Sequence, residues 1–389
     1  MDAGRFLKTY DIGLTIAVVL LVVFGVVMIF TSANSPYTPG LIVRMFGEHY
    51  IRQGFFVASG TILLVAFSFI DYRFISRFYV YIYALMITLL VMALLIGADD
   101  ATGTARWLWL PLPIIGPLSM QPSEFAKLFI IIALSKFLSI FHDKFNKPLM
   151  LLGITAGVAF PIFLVAIQPS LSAALVILSI TLAILFAAGL KTRIILFGLA
   201  VVIPLFIVVW SDLARNEPVI ISRILADFQL QRIETFLYPV PGSDEFRQTE
   251  GSLAAISAGG MTGLGFLQNP HVIHGHNDFI FAVIAAQFGF VGSMVLLFVV
   301  FYVIIRLGLI AIRAHDVEGR LIAAGTVGMI IFETFFHVGV VTNLLPNTGM
   351  PFPFVSYGGS MIWVHMVAIG LCLNVRLVSQ GNRVGNLPD

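Results

Sequence analysis

Residues 12–32 read IGLTIAVVLLVVFGVVMIFTS, a run without a single Asp, Glu, Lys or Arg. Coiled as an α-helix it extends about 30 Å, the thickness of a bilayer's hydrocarbon core. It is longer than the apolar part of a cleavable leader and ends without a small-residue cleavage pattern, so a retained helix is expected. Runs of the same kind recur near 51–70, 79–97, 123–141, 148–167, 169–188, 194–210, 279–305, 321–344 and 357–377. They are continuous rather than alternating, which argues against a β-barrel. The reading is an all-α polytopic membrane protein with ten transmembrane helices, one integral membrane domain over residues 1–389.

Composition agrees with that reading. Of 389 residues 59% are hydrophobic and 11% charged, where soluble domains carry roughly 25% charged residues. A net charge of +2 is far from the basic excess of a nucleic-acid binder. The one cysteine, Cys372, allows no intrachain disulfide. Ten crossings put both termini on one side. The segments on that side hold Arg5, Lys8, Arg73, Arg77, Lys144, Lys147, Lys191, Arg193, Arg306, Arg313, Arg320, Arg376 and Arg383, whereas the short opposite loops hold Arg44, Arg52 and Arg106. The positive-inside rule then makes both termini cytoplasmic.

One outer loop, about 211–278 between helices seven and eight, is far longer than the rest, and long ordered loops are usually functional. Its stretch 219–233 places Ile221, Ile224, Leu225 and Phe228 on one helical face, as an interfacial helix would. Further on, Gly259-Gly-Met-Thr-Gly-Leu-Gly265 serves either as a tight packing surface, the favoured reading, or as an anion nest of backbone N–H groups. The loop and its rim carry 4 basic and 8 acidic residues, so it is no general anion trap.

Polar residues at membrane depth are costly and therefore informative. Glu124 and Lys127 lie at i and i+3 at the start of span four, either as a structural ion pair or with Lys127 meeting an anionic ligand that Glu124 orients. Asp278 directly precedes span eight, where a carboxylate can cap the helix or, facing a cavity, act as a general base with His276 as a neighbour donating a hydrogen bond or charge. Arg52, Arg106, Gln229 and Arg232 stand where a guanidinium or amide would hold a phosphate or sugar, or anchor the chain at the interface. Glu333 and His337, at i and i+4 in span nine, suit a proton relay or a self-satisfied polar contact.

The chain resembles the SEDS family, the RodA/FtsW-like shape, elongation, division and sporulation proteins of bacteria, along almost its whole length. The carriers are Gly25-Val-Val-Met-Ile-Phe-Thr-Ser-Ala, Arg52-Gln, Arg106-Trp-Leu, Gln121-Pro-Ser-Glu-Phe-Ala-Lys-Leu, Gln168-Pro-Ser-Leu and Gln231-Arg-Ile-Glu-Thr-Phe-Leu-Tyr-Pro. His276-Asn-Asp-Phe-Ile-Phe-Ala-Val-Ile and the highly specific Leu345-Pro-Asn-Thr-Gly-Met-Pro-Phe-Pro-Phe-Val-Ser-Tyr-Gly-Gly-Ser complete the set. The chain departs from the family pattern at Ser170, Gly251, His274, Ala286, Gln287 and His337.

The resemblance implies a ten-helix glycosyltransferase of the bacterial inner membrane that polymerises lipid II, the undecaprenyl-pyrophosphate-linked disaccharide peptide, in elongation or division. A class B penicillin-binding protein would be its transpeptidase partner. The family's essential outer-side aspartate falls on Asp278, its Glu/Lys pair on Glu124 and Lys127, and its important basic positions on Arg52, Arg106 and Arg232. Such chemistry needs one base for the acceptor hydroxyl. It also needs counter-charge for the departing pyrophosphate, from Arg52, Lys127 and Arg232 or from a divalent cation (Mg or Mn). No His/Asp/Glu spacing marks a metal site. The competing expectations are a lipid-linked-sugar transporter or flippase, favoured by Glu333/His337, and an inactive scaffold for a cell-wall transpeptidase.

Overall fold

The computed structural model describes residues 9–33, 49–99, 105–112, 116–168, 170–213, 227–240, 242–243, 246–268 and 272–385. In chain order the elements are α1 (Ile12–Ala33), α2 (His49–Phe69), the short α3 (Tyr72–Ser76), α4 (Tyr79–Ile96), strands β1 (Ala98–Asp99), β2 (Ala105–Leu112) and β3 (Gly116–Met120), then α5 (Pro122–Ile140) and α6 (Pro148–Ile167). They continue with α7 (Leu171–Ala187), α8 (Thr192–Leu213), α9 (Asp227–Leu237), α10 (Arg247–Gly259), α11 (Ile280–Arg313), α12 (Val317–Val341) and α13 (Gly359–Gly385). A helix thus occupies each of the ten apolar runs. Among the described residues seven of them, α1, α2, α4, α6, α11, α12 and α13, are long and apolar enough to cross a bilayer. α5 carries Glu124, Lys127 and Lys136, and α7 has only 17 residues.

The all-α expectation needs one correction. Between α4 and α5 a three-stranded antiparallel sheet runs in the order β1-β2-β3, with Trp109 opposite Ser119 and Leu108 opposite Met120. Pro111 and Pro117 bar a helix there, and Trp107 and Trp109 share one face of β2 by the two-residue period. A second correction concerns the outer segment. Its first described helix is α9, starting at Asp227 rather than Val219, and residues 219–226, with Arg44 and Arg215, lie outside the described residues.

The core lies where α13 packs along α2, and α12 along α7 and α11. α11 is broken at Gly289, whose φ of 64° no β-carbon-bearing residue adopts easily. The break seats the Gly-rich run. Leu264 and Gly265 donate N–H bonds to the carbonyls of Ala286 and Gln287, and Phe290 and Val291 donate back to Gly260 and Met261, all at 2.9–3.1 Å. A Cβ on Gly263 would fall 2.1 Å from the Gln287 carbonyl oxygen, so side chains are excluded at that contact. Several of the run's N–H groups are spent on main chain, which decides for packing over an anion nest.

Candidate active site

A cavity of about 440 Å³ opens where α2, the β2–β3 hairpin, the starts of α5, α7 and α13, and α9 converge with the loops 276–278 and 348–351. It gathers Arg52, Glu124, Arg232, His276 and Asp278 from four separate stretches of sequence. Arg106 lies in β2, which contributes Trp107 and Trp109 to the wall, but its side chain is outside the described residues, as is that of Gln229 in α9. The two tryptophans and Ser119 were not singled out from sequence, although their alternation on a strand was the available signal.

Main-chain clamps set the loops that carry these groups. Gln53, next to Arg52, receives the Gly358 N–H at 3.1 Å and donates to the Ser356 carbonyl at 3.2 Å. Ser356 in turn donates to the Asn277 carbonyl at 2.7 Å, and the Tyr357 N–H bonds the His276 carbonyl at 3.0 Å. The segment around Asp278 is therefore fixed by α2 and the 356–358 loop together. Asp278 itself does not hold the cap position of α11. That position falls to Phe279, with no side-chain cap.

Arg232 donates through Nη1 to the Asn347 carbonyl at 3.3 Å, and Asn347 is held by Gln248 of α10 at 3.1 Å. Gly349 separates the two functional groups: a Cβ there would lie 3.2 Å from Oδ2 of Asp278 and 3.8 Å from Nη1 of Arg232. His276 stands in a cluster with His49 (ring centroids 5.1 Å apart) and Tyr357 (6.0 Å). Burial, reinforced by the neighbouring His49 and His274, pushes the His276 imidazole down to about 3, so it is neutral near pH 7 and can offer a hydrogen bond but no charge. Burial raises the Tyr357 hydroxyl, and Arg52 only partly offsets this.

Beneath the cavity floor Glu124 and Lys127 pair at 2.7 Å, as their spacing implied. Lys127, only 2% exposed, also donates to Glu333 at 2.7 Å. Glu333 does not pair with His337. Its other oxygen meets Nε2 of His365 on α13 at 2.6 Å, and His337 turns Nδ1 to the Met350 carbonyl at 2.7 Å. The i,i+4 relay is thus replaced by a four-membered network, Glu124–Lys127–Glu333–His365, spanning three helices. Each ring nitrogen of His365 faces an acceptor, Glu333 on one side and the Met361 carbonyl on the other. Glu124 reaches the cavity, whereas Lys127 is not among its lining residues, so the lysine acts on a bound ligand only through its partner.

The departures from the family pattern are accommodated locally. Ser170 and Ser172 line the cavity. Buried Gln287 donates to Thr31 of α1 at 2.9 Å and receives the Leu267 N–H at 3.1 Å, and Ser252 donates to the Val341 carbonyl at 2.8 Å.

A family model described as cell cycle protein (FtsW/RodA/SpoVE) matches residues 12–380. The chain is 30% identical over 383 residues to a probable peptidoglycan glycosyltransferase FtsW of Trichlorobacter lovleyi, covering 95% of this chain and 93% of the relative. To the peptidoglycan glycosyltransferase MrdB of Escherichia coli it is 31% identical over 363 residues, 91% and 90% of the two chains. Among solved structures it is similar to a chain from work on the structural coordination of polymerization and crosslinking by a peptidoglycan synthase complex. There the TM-score is 0.76 at 26% identity, over 95% of this chain and 98% of the other. The crystal structure of the rod shape determining protein RodA of Thermus thermophilus matches with a TM-score of 0.63 at 26% identity, over 94% and 96%.

Proposed function

Because the chain belongs to the SEDS family (FtsW/RodA/SpoVE) of peptidoglycan glycosyltransferases, we propose that it polymerises lipid II into glycan strands at the outer face of the bacterial inner membrane, in cell elongation or division. The observation that carries this reading is the single cavity in which Asp278 meets Arg52, Arg232 and Glu124. On this reading the three remaining bundle helices, α5, α7 and α8, cross the bilayer together with the seven apolar ones and both termini lie in the cytoplasm, which turns that cavity outward.

Asp278 is the general base. It takes the proton of the acceptor sugar hydroxyl as that oxygen attacks the donor's anomeric carbon. The bond to the pyrophosphate oxygen breaks with its electron pair, and attack from the opposite face inverts an α-linked donor to a β-linkage. Pyrophosphate leaves as an anion and needs counter-charge more than an acid, which is the part assigned to Arg52 and Arg232. Arg106 and Gln229 are assigned to substrate contact on the strength of their elements, β2 and α9. His276 contributes a neutral hydrogen-bonding wall, and Lys127 holds Glu124 in place. Among the described residues no three His, Cys, Asp or Glu side chains come together as a metal site, so no step is routed through Mg or Mn. Lipid tails bring both substrates in laterally, between helices. The partner is a class B penicillin-binding protein transpeptidase, a reading supported by the similar chain's place in a complex that couples polymerization to crosslinking.

The deciding experiment is glycan polymerisation from lipid II by the purified protein, with and without a transpeptidase partner; absence of glycan in both conditions would refute the assignment. Two variants refine it. Arg232→Lys keeps the charge but loses the two-pronged fork and should lower output about tenfold, and Arg232→Ala about a hundredfold. Arg215→Ala is the control and should matter little. If Arg232→Ala matches the parent, the residue is only an interfacial anchor. Gly349→Ala places a methyl group 3.2 Å from the Asp278 carboxylate at a φ of 67°. It should cost about 1–2 kcal/mol of stability and cut turnover by roughly 10²-fold through misplacement of the base. Parent-like turnover would mean that Asp278 does not work against this wall.

A further inference from the structure

At the end of the bundle far from Asp278, α11 and α13 enclose a second cavity of about 270 Å³. One wall is Arg306, Leu309, Ile310 and Arg313, the i, i+3, i+4, i+7 face of α11, and the other is Arg376, Ser379 and Gln380, the i, i+3, i+4 face of α13. Among the described residues the lining holds three guanidinium groups and no carboxylate.

Behind this cleft sits Asp11, which is 1% exposed and shared by two arginines. It accepts from Nε and Nη2 of Arg306 at 3.0 and 2.6 Å and from Nη1 of Arg376, while Nε of Arg376 donates to the Thr9 carbonyl at 3.0 Å. Both guanidinium groups are thereby fixed in position. Among the described residues, Nη1 of Arg306 and Nη2 of Arg376 have no protein acceptor. Their side chains keep 29% and 20% of their surface. Ser379 Oγ receives the His315 N–H at 3.0 Å, which leaves its own O–H to donate. One aspartate thus orients both Arg306 and Arg376, so this pair brings more positive charge than Asp11 neutralises. The remaining donors suit a tetrahedral anion.

The apolar part of the site suggests where that anion comes from. Leu309 and Ile310 form the floor between the arginines, and on the same helix Ile305 and Ile312 are exposed, Ile312 to 79%. A group entering from the bilayer would lay its charged head among the arginines and its chains along these residues. We propose that the α11–α13 cleft is a phosphate-binding site filled by the headgroup of an anionic phospholipid. Basic clefts between transmembrane helices are suited to such headgroups, and guanidinium groups bind phosphate oxygens in pairs.

The test uses the full chain in phosphatidylcholine nanodiscs, with and without phosphatidylglycerol, together with a third sample in phosphatidylcholine given inorganic phosphate. Thermal midpoint and phosphatidylglycerol retained per protein are the readouts. Phosphatidylglycerol should raise the parent's midpoint and be retained. Arg313→Gln, and independently Gln380→Glu, should weaken retention about fivefold or more, each variant's midpoint in pure phosphatidylcholine serving as its own reference. If inorganic phosphate alone reproduces the shift and both variants abolish it, the site stands as a phosphate site fed from solution. The proposal is overturned if neither probe has an effect, or if retention is the same in the parent and in both variants.

Discussion

Asp278→Asn folds and accumulates in the membrane like the parent but polymerises lipid II roughly 10²–10⁴-fold more slowly, the usual contribution of a positioned base. Amide and carboxylate have the same shape, so the clamps through Ser356 and Tyr357, which engage the carbonyls of Asn277 and His276, stay in place. A capping role would be nearly untouched, since Asn caps helices well and the cap position belongs to Phe279 in any case. The measurement is glycan formed per unit of protein at matched abundance, with and without the transpeptidase partner. Output within a few-fold of the parent would remove Asp278 from the chemistry.

The largest stability effect is expected at Lys127. Replacing it with Met leaves Glu333 with His365 alone and Glu124 facing the cavity floor without its cation. Breaking a buried ion pair on one side costs about 3–5 kcal/mol. Combining Lys127→Met with Glu333→Gln, or with Glu124→Gln, removes a charge of each sign and should recover part of the loss, so the single and double variants are non-additive. Thermal unfolding of the detergent-solubilised variants reads this directly. Strictly additive losses would mean that the network is not energetically coupled. If the Glu124→Gln double variant regains stability but polymerises no glycan, Glu124 has a second duty toward substrate at the cavity floor.

What could be read from sequence follows from the range of the forces involved. Each long helix is announced by its own predominantly apolar run, because a bilayer demands satisfied backbone groups and mostly apolar side chains within a single segment. The 98–120 sheet is different. Its strands are short, interrupted by Pro111 and Pro117, and exist because neighbouring helices hold them, so no local period outweighed the helical context. Asp278, Arg52 and Arg232 were legible as isolated polar residues beside apolar runs, and the fold adds only that they share a cavity. The Glu124–Lys127 pair was legible because helical spacing is local. The link from Lys127 to Glu333, 206 positions away, was not, and the local signal at Glu333 pointed to His337 when the true partner is His365 on another helix. Trp107 and Trp109 were missed for the same reason as their strand.

The seam between residues 260–265 and 286–291 bears on how this family can vary. Its four cross-links are amide-to-carbonyl bonds, so they depend on main-chain position and not on which side chains Ala286 and Gln287 carry. A change of side chain at either position therefore leaves the four main-chain bonds of the seam in place. Change is nearly forbidden at Gly263 and Gly289, where any added carbon would meet backbone at 2.1–2.4 Å, whereas at position 287 it costs only the side-chain bonds to Thr31 and the Leu267 N–H.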